Sequence, residues 1–431
     1  PNLFARDLLE NKYFTRNLLK YLMNHVRIYE NFITNVHSTS AFEKVLFQIL
    51  RIGIPNNSND TSTLHYSFNQ GVISNFAGVS RETVSRVMKT LKIKKVLELD
   101  EHRNIIVNSI LAILLLFSFL LQFIKPSLFP YLSFMSLSVP ILIIINLLFF
   151  IYWLVKLKKQ FILSLFVLLI GYSQVLSFFK FSDNLERVSP DTISVMSYNV
   201  RLFNLYNWID SDVENDIISF IGSQEPDVIN MQEYRSTERF SLDKYQFQHS
   251  SLSDGKTSYG LATFSKLPIV NKGIIKSDNL STIAIFIDVK KYSDTLRFYN
   301  IHLQSFKLES ELEILDENNS DKILNIFDNT FKIQENQSNI ISNHIESSPY
   351  KVVVSGDFNN TAYSYVYNLL KGDLVDSFDS AGSGFGSTYN FKYFPMRIDF
   401  ILMDKTFRIN DFKTFSQNLS DHFPIISTFN L

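Results

Sequence analysis

The sequence contains no cysteine among its 431 residues. This absence excludes structural disulfides, thiolate zinc sites and cysteine nucleophiles. Glycine is scarce, at 13 residues, whereas phenylalanine is abundant, at 40. The formal net charge is only -1, which argues against a uniformly basic nucleic-acid binder. The length allows two or three domains, so each segment has to be considered by itself.

Acidic residues are absent from residues 108–180, a region that is almost entirely apolar. It contains three long apolar stretches, Asn108–Ile124, Tyr131–Val155 and Phe161–Phe179. Since about 20 apolar residues span the hydrocarbon core of a bilayer, these stretches predict three transmembrane helices. The alternative, a set of buried core helices in a soluble protein, fits three runs of this apolarity less well.

The lysines between the second and third stretches predict how these helices are oriented. Lys156, Lys158 and Lys159 are expected to stay on the cytoplasmic side of the membrane. With three spans, residues 1–107 are then cytoplasmic and residues 181–431 face outward. We therefore expect a multi-pass membrane protein, with the lipid bilayer as a partner.

Residues 1–107 contain a pattern typical of a helix-turn-helix. One helix is predicted over Asn69–Phe76, followed by a turn at Gly78 and by a second helix that Ser80 caps. Residues 96–107 predict a strand, a turn and a strand, as in a wing. The same spacing fits an ordinary small helical domain with a solvated charged face. The charge balance suits a DNA backbone, because Glu82 alone opposes the basic residues Arg81, Arg86, Lys89, Lys92, Lys94 and Lys95.

The segment GVSRETVSRVMKTL, from Gly78 to Leu91, resembles the Crp/Fnr family of winged-helix regulators, and a looser resemblance extends over residues 1–107. The resemblance implies DNA as a partner. It implies that Arg81, Glu82 and Arg86 contact base edges, where Arg pairs with guanine and Glu with cytosine, and that Ser80 contacts a phosphate. It also implies a homodimer formed through a helix at about residues 17–35.

Residues 193–431 have a globular composition with strand-like runs. These runs are Ile193–Val200, Val228–Tyr234, Gly260–Ser265, Leu296–Leu303, Lys351–Ser355, Arg397–Met403 and Pro424–Phe429. Polar residues stand at or just past the ends of several of these runs, namely Asn199, Glu233, His302, Asp357, Asn359, Asp399, Asp421 and His422. In an α/β protein such residues converge on one rim of a sheet. Oxygen-rich groups without thiols suit Mg²⁺ or Mn²⁺, and phosphate ester cleavage needs such an ion.

Each of these motifs alone is more often structural. Their ordered set, however, resembles the endonuclease/exonuclease/phosphatase superfamily, which includes deoxyribonuclease I. The apolar stretches before it are similar to those of a membrane-anchored bacterial type of this superfamily. The resemblance implies a four-layer α/β sandwich with two central mixed sheets, after a linker at residues 181–192. The matching segments are MSYNVRLFN (Met196–Asn204), DVINMQEY (Asp227–Tyr234), YGLATFSKLPI (Tyr259–Ile269), YNIHLQS (Tyr299–Ser305), VVVSGDFNNT (Val352–Thr361), RIDFILM (Arg397–Met403) and LSDHFPI (Leu419–Ile425).

The resemblance also implies a role for each candidate residue. Glu233 would hold the main metal ion, assisted by Asn199 and Asp421. Asp357 and Asn359 would position or activate the attacking water and bind the scissile phosphate. The other three complete the set: His422, paired with Asp399, would act as a base or stabilise the phosphate oxyanion, and His302 would bind the phosphate or assist the leaving group.

The expected function is a membrane-anchored, metal-dependent phosphodiesterase or endonuclease acting on nucleic acid or a phospholipid headgroup. The segment Lys307–Asn329, predicted to be a loop, is acidic and discourages a long polyanion. One alternative is a membrane-tethered DNA-binding regulator whose C-terminal domain senses a ligand. Another is an accidental fusion of a regulator fragment with a hydrolase. Replacement of Glu233 and His422 by alanine separates hydrolysis from sensing.

Overall fold

A computed structural model describes residues 40–41, 44–45, 48, 54–55, 64–65, 70–93, 102–181, 191–254, 258–306, 320–391 and 394–431. The chain divides after Arg103 into two compact units. The helix predicted at about residues 17–35, and with it the predicted homodimer contact, lies outside the described residues.

The first unit contains the predicted pair of helices. Its elements are β1 (Ile54–Pro55), β2 (Leu64–His65), α1 (Gln70–Ala77) and α2 (Arg81–Ile93). The two helices pack through Ile73, Ala77, Val84 and Val87, which are buried together. Gly78 joins them with φ +64°, a conformation that glycine adopts at little cost.

The predicted wing is wrong at its second strand. Helix α3 (His102–Ser118) includes the residues of the predicted second strand and continues into the apolar region. Ile105, Ile106 and Val107 favour a strand locally, but they continue directly into an apolar run, where a helix satisfies the backbone hydrogen bonds within one segment. The first apolar helix therefore starts before the predicted boundary at Asn108. Residues 96–101 of the predicted wing lie outside the described ones.

The apolar region of the second unit forms helices that are broken more often than predicted. After α3 these are a 3-10 turn (Leu121–Phe123), α4 (Pro130–Val155), α5 (Phe161–Ile170) and α6 (Tyr172–Leu176). In the described part of the chain, two segments are long and apolar enough to cross a membrane, Asn104–Phe123 and Leu132–Val155. The third predicted span is instead divided between α5 and α6 at Gly171.

The divided third segment nevertheless runs alongside α3 in the same direction. Near the start of both, Ser164 Oγ donates to Asn108 Oδ1 at 2.8 Å. Near the end of both, a Cβ on Gly171 would lie 2.1 Å from the Phe119 ring, so only glycine fits there. Asn146 of α4 donates from Nδ2 to the carbonyl oxygen of Leu111 at 3.2 Å. Such interhelical hydrogen bonds hold apolar helices together.

The rest of the second unit contains two six-stranded mixed sheets. The first has the order β15-β16-β4-β5-β7-β6, and the second has the order β12-β14-β11-β10-β9-β8. The strands, with the small pair β3 and β13, are β3 (Lys180–Phe181), β4 (Ile193–Asn199), β5 (Val228–Arg235), β6 (Phe247–Leu252), β7 (Tyr259–Ser265), β8 (Ile269–Lys276), β9 (Thr282–Lys291), β10 (Asp294–His302), β11 (Lys351–Asp357), β12 (Val375–Asp376), β13 (Ser383–Gly384), β14 (Asp399–Met403), β15 (Arg408–Thr414) and β16 (Ile425–Asn430).

The sheets face each other and carry helices on their outer faces. Along β4, Val195 faces the core between the sheets, whereas Met196 faces the cluster shared with a helix, as expected for side chains that alternate. The helices are α7 (Val213–Gln224) on the first sheet, α8 (Ser320–Glu346) and α9 (Tyr365–Lys371) on the second, and the short α10 (Ser377–Ala381). This helix–sheet–sheet–helix order is the predicted sandwich. Residues 320–329, predicted as a loop, belong to α8.

Candidate functional site

Three candidate residues lie side by side at one end of the second sheet. Strands β10 and β11 are parallel, and their register places His302 opposite Asp357. Strands β11 and β14 are antiparallel, and their register places Asp357 opposite Asp399. The sheet therefore brings three residues that are distant in sequence into one row.

The glycine before Asp357 permits the close approach of β10 and β11. Gly356 has φ +150°, and a Cβ at this position would lie 1.9 Å from the carbonyl oxygen of Ile301. A larger residue would push the two strands apart. The Ser-Gly-Asp-Phe-Asn motif thus has a physical reason for its glycine: the backbone that carries Asp357 is pressed against its neighbour.

Glu233 reaches the same rim from the first sheet through a β-bulge. The register of β5 against β7 shifts between Met231 and Tyr234, and Glu233 has φ +49°. A bulge redirects a side chain, and non-glycine residues with positive φ are concentrated at functional sites. The bulge thus breaks the regular alternation of side chains along β5 at Glu233.

A buried amide contact fixes the two sheets relative to each other next to Glu233. Gln232 Nε2 donates to Asn300 Oδ1 at 2.7 Å. Asn300 Nδ2 in turn donates to the carbonyl oxygens of Met231 and Ala262, both at 2.9 Å. Both amides are fully buried, so the loss of either partner would leave an unsatisfied polar group. These residues stand inside the predicted motifs, but sequence reasoning assigns them no role.

Asn199 links the two sheets at the site itself. Its Nδ2 lies 3.0 Å from Asp357 Oδ2 and 3.5 Å from Glu233 Oε1. Its Oδ1 accepts a hydrogen bond from the backbone N–H of Arg201 at 3.1 Å. In this geometry Asn199 presents donors to both carboxylates. Its predicted role as a metal ligand requires rotation of the amide by half a turn, because a metal ion binds oxygen.

His422 and Asp399 form a buried pair beside Asp357. His422 Nδ1 lies 2.9 Å from Asp399 Oδ2, and His422 Nε2 lies 3.6 Å from Asp357 Oδ2. Burial opposes the charged imidazolium, but the negative charges of Asp399 and Asp357 prevail and raise the pKa of His422 to about 10. The ring is therefore held as a cation between two carboxylates.

Two residues that support this pair are absent from the sequence predictions. Thr388 Oγ1 accepts hydrogen bonds from the backbone N–H groups of Ile398 and Asp399, both at 3.0 Å. The Tyr389 ring packs edge-on against the imidazole of His422, with 5.0 Å between ring centroids. Both act through tertiary contacts, so no local signal identifies them.

Asp357 is the most buried carboxylate of the site. Burial raises its pKa to about 6, although His422 and His302 oppose the shift. Its Oδ1 accepts from the backbone N–H of Asn359 at 2.8 Å. Asn359 has φ +49° and donates from Nδ2 to the carbonyl oxygen of Leu303 at 2.9 Å. The left-handed turn thus folds Asn359 back over Asp357.

His302 points its Nε2 atom at two carboxylates without a hydrogen bond to either. The atom lies 3.7 Å from Asp357 Oδ2 and 3.9 Å from Glu233 Oε1. It is buried and lacks a hydrogen-bond partner among the described residues. Buried polar atoms of this kind are rare and commonly indicate a bound ion, water or ligand group.

Asp421 lies next to Arg201. Asp421 Oδ2 is 3.4 Å from Arg201 Nε. The Arg201 guanidinium stacks on the Trp208 ring, 4.1 Å from its centroid. Arg201 follows Asn199 by two positions in the predicted motif, but sequence reasoning gives it no role.

The residues at this rim fit a divalent cation. Four carboxylates, from Glu233, Asp357, Asp399 and Asp421, provide the hard oxygen ligands that Mg²⁺ and Mn²⁺ prefer. The most compact group is Asp357, Asp399 and His422, whose ligand atoms all lie within 4.8 Å of one another. Since His422 and Asp399 already bind each other, we favour the Glu233 side for an ion. The unpartnered Nε2 of His302 faces that side.

The first unit presents its predicted DNA-contacting residues to solvent. Ser80 Oγ accepts from the backbone N–H of Thr83 at 3.2 Å, so it caps α2 as predicted. Arg81, Glu82 and Arg86 are exposed on α2. The helix therefore leaves these three side chains available for the edge of a groove.

Family models match three parts of the chain. Residues 196–422, more than half of the chain, match a model described as the endonuclease/exonuclease/phosphatase family. Residues 43–112 match a Crp-like helix-turn-helix domain, and residues 97–178 match a domain of unknown function. No curated protein matches the chain.

Three solved structures illustrate what the chain is similar to, each at 20% identity or less. An endonuclease/exonuclease/phosphatase from Bacteroides vulgatus is 19% identical over 56% of this chain and 99% of that chain, with a TM-score of 0.44. D. rerio TDP2 complexed with a single-strand DNA product is 20% identical over 56% and 99%, with a TM-score of 0.42. A mannosyl-6-phosphatase from Bacteroides thetaiotaomicron is 17% identical over 56% and 100%, with a TM-score of 0.42.

Proposed function

Because the chain belongs to the endonuclease/exonuclease/phosphatase family, we propose that residues 193–431 hydrolyse phosphate esters by direct attack of water, with the help of a divalent metal ion. The observation that carries this proposal is the position of Asp357 between two groups. On one side stands the pair of His422 and Asp399, and on the other stand Asn199 and Glu233. A scissile phosphate bound at this rim would contact three groups: the proton acceptor Asp357, the cationic His422 and the metal site at Glu233.

Asp357 is the proposed proton acceptor for the attacking water. The oxygen of water forms the new P–O bond as the bond to the leaving oxygen breaks, and one proton of the water passes to Asp357. The raised pKa of this carboxyl suits such a transfer near neutral pH. Oδ2 faces the two histidines and accepts hydrogen bonds from Nδ2 of Asn199 and of Asn359. Rotation of the Asn199 amide toward a metal ion would replace its hydrogen bond to Oδ2 with one from the water.

His422 is proposed to stabilise the negative charge that builds up on the phosphate oxygens. Asp399 holds its Nδ1, so Nε2 is the atom that faces the phosphate. His302, whose Nε2 is unpartnered, would bind the phosphate on the side of the leaving oxygen. A divalent ion held by Glu233 with Asp421, and by Asn199 after rotation of its amide, would neutralise charge on the phosphate.

The test of this proposal uses the full chain in detergent and the soluble ester bis-p-nitrophenyl phosphate. We expect turnover with Mg²⁺ or Mn²⁺ that a chelator abolishes and that His422→Asn reduces strongly. Turnover that survives chelation, or that His422→Asn leaves unchanged, would contradict the proposed roles.

A second proposed function, DNA binding by the first unit, is supported by the exposed Arg81, Glu82 and Arg86 on the Ser80-capped helix. DNA binding places this unit in the cytoplasm. We propose that the apolar helices of the second unit cross the bacterial inner membrane and leave the catalytic domain outside. The parallel course of α3 and of the divided third segment supports an odd number of crossings. An accidental join of a regulator fragment and a hydrolase stays an alternative, which the size of the native polypeptide tests.

A further inference from the structure

The catalytic domain is attached to the apolar helices through contacts after α3, after α6 and near the start of α4. After α3, the carbonyl oxygen of Gln122 accepts from Asn368 Nδ2 at 3.3 Å. After α6, Ser177 Oγ donates to Asp379 Oδ2 at 3.0 Å. Near the start of α4, the Phe134 ring contacts the Phe327 ring, with centroids 4.8 Å apart. The lysine-containing connection at residues 156–159 lies at the other end of α4.

A further attachment involves α8, which also contacts the catalytic loops. Glu335, buried on α8, accepts from the backbone N–H of Ser127 at 2.6 Å and from its hydroxyl at 3.0 Å. The preceding residue, Gln334, donates from Nε2 to the carbonyl oxygens of Gln304 at 2.7 Å and Asn359 at 3.3 Å. One turn of α8 therefore connects the loop between two apolar helices with the loop that carries Asn359.

Another attachment, through Thr361, lies still closer to the catalytic residues. Thr361 Oγ1 donates to the carbonyl oxygen of Ser136 at 3.2 Å, and Ser136 lies inside the apolar segment Leu132–Val155. Thr361 follows Asn359 by two residues, a distance of at most about 7 Å. The headgroup layer of a bilayer is about 5 to 8 Å deep on each side. If the apolar segment spans a bilayer, Asn359 is held at the depth of the lipid headgroups.

Exposed aromatic rings extend the apolar surface from the third segment to the site. Phe179 contacts Phe181 and Phe385, with ring centroids 4.8 Å apart in both pairs. Phe181 is 89% exposed and Phe385 is 43% exposed. The segment after Phe385 carries Thr388 and Tyr389, which support Asp399 and His422. Aromatic rings at the ends of membrane helices typically lie at the level of the headgroups.

From these contacts we propose that the site acts on phosphate esters of membrane lipids, which reach it from the headgroup layer. This inference rests on the proposed hydrolase function and names its substrate class. The attachment of Thr361 and Glu335 fixes the catalytic loops beside the bilayer, so a lipid phosphate needs little movement to reach Asp357. The acidic composition of residues 307–329 also disfavours a long nucleic acid as the substrate.

The hydrolysis experiment uses the full chain reconstituted in phosphatidylcholine vesicles that contain phosphatidylglycerol and phosphatidylinositol 4-phosphate. Release of a water-soluble phosphorylated headgroup or of phosphate is measured beside turnover of bis-p-nitrophenyl phosphate and of a single-stranded oligonucleotide. We expect lipid cleavage, soluble-ester turnover and little cleavage of the oligonucleotide. Cleavage of the oligonucleotide with intact lipids, or of the soluble ester alone, would overturn the lipid proposal and leave the hydrolase intact. No turnover of any substrate would overturn both.

Variants at the attachment separate it from the chemistry. Glu335→Ala should lower lipid cleavage about tenfold, since small misplacements at a reacting centre have large effects, and should change soluble-ester turnover far less. Ser127→Ala keeps the backbone N–H that donates to Glu335 and should show the same selectivity with a smaller loss. Glu346→Ala, at the exposed end of the same helix, is the matched control. An equal loss on both substrates in Ser127→Ala and Glu335→Ala would contradict a role in lipid presentation.

A depth measurement tests the same proposal without activity. The chain has no cysteine, so single cysteines at Phe385 and at Tyr292 can each carry a fluorophore. Tyr292 precedes β10, whose other end is His302, so it lies about 30 Å from the site. Lipids with a headgroup quencher should quench the label at position 385 strongly and the label at 292 weakly. Equal quenching at both positions would contradict a site held at the bilayer.

Discussion

His422 Nδ1 lies 2.9 Å from Asp399 Oδ2, and both side chains are buried. The contact fixes the ring so that Nε2 faces Asp357 at 3.6 Å. A carboxylate in this position sets both the tautomer and the charge of the imidazole. The pair is therefore the part of the site whose removal should change catalysis without changing the ligands of a metal ion.

Asp399→Asn should lower kcat on bis-p-nitrophenyl phosphate by at least about 100-fold, because an amide cannot hold the charged imidazole as a carboxylate does. The concentration of Mg²⁺ that gives half-maximal activity should change little. Asp373→Asn, at a side chain that is 94% exposed, is the matched control. A large rise in the Mg²⁺ requirement of Asp399→Asn would instead identify Asp399 as a metal ligand.

Asp288→Asn should destabilise the catalytic domain by about 3 to 5 kcal/mol, because it leaves a buried guanidinium without its carboxylate. Arg297 donates to Asp288 from Nε at 2.6 Å and from Nη2 at 2.8 Å. Denaturant unfolding of the full chain in detergent, followed by tryptophan fluorescence, measures the effect. The exposed pair of Lys405 and Asp373 provides the control, and Asp373→Asn should leave the midpoint unchanged. Equal midpoints for Asp288→Asn and the unchanged chain would contradict the prediction.

Arg86→Ala should weaken binding of the full chain to duplex DNA by about 1 to 3 kcal/mol if the side chain contacts a base. Arg86 is exposed on α2. Fluorescence anisotropy with a labelled duplex of random sequence at low salt detects the non-specific part, and a selected duplex detects the specific part. Asp373→Asn, at an exposed side chain of the catalytic domain, serves as the comparison. The absence of any DNA binding by the unchanged chain would contradict the regulator role.

A cysteine at Leu280 should react with a membrane-impermeant maleimide added to intact bacterial cells, whereas a cysteine at Lys158 should react only after lysis. Leu280 is 75% exposed on the catalytic domain, and Lys158 belongs to the connection predicted to be cytoplasmic. The cysteine-free chain provides the background. Labelling of both positions only after lysis would place the catalytic domain inside the cell and would contradict an odd number of membrane crossings.

The sequence predicts the central strands and the residues at their ends. Asp357 and His302 stand at the ends of apolar runs and Asp399 at the start of one, and the sheet register brings the three together as expected. The edge strands β6, β8, β12 and β15 are not predicted, because an edge strand is partly solvated and its apolar pattern is weaker. β9 is also absent from the prediction, although TIAIFIDV is typical of a buried strand.

The remaining differences arise from contacts between distant residues. The division of the third apolar stretch depends on the close approach of Gly171 to Phe119, which a local pattern does not contain. Gln334 and Thr388 hold catalytic loops through partners far along the chain. The donor orientation of Asn199 likewise depends on the backbone N–H of Arg201. Sequence patterns therefore identify the reacting groups better than the residues that position them.

The most direct measurement of the central claim is metal-dependent hydrolysis of bis-p-nitrophenyl phosphate by the full chain and by Glu233→Gln, titrated with Mg²⁺ and Mn²⁺. The account predicts turnover by the unchanged chain that a chelator removes and added metal restores. It also predicts that Glu233→Gln needs far more metal or loses turnover, while the exposed control Asp373→Asn keeps it. Equal turnover of Glu233→Gln and the unchanged chain at every metal concentration would contradict the assignment of the site.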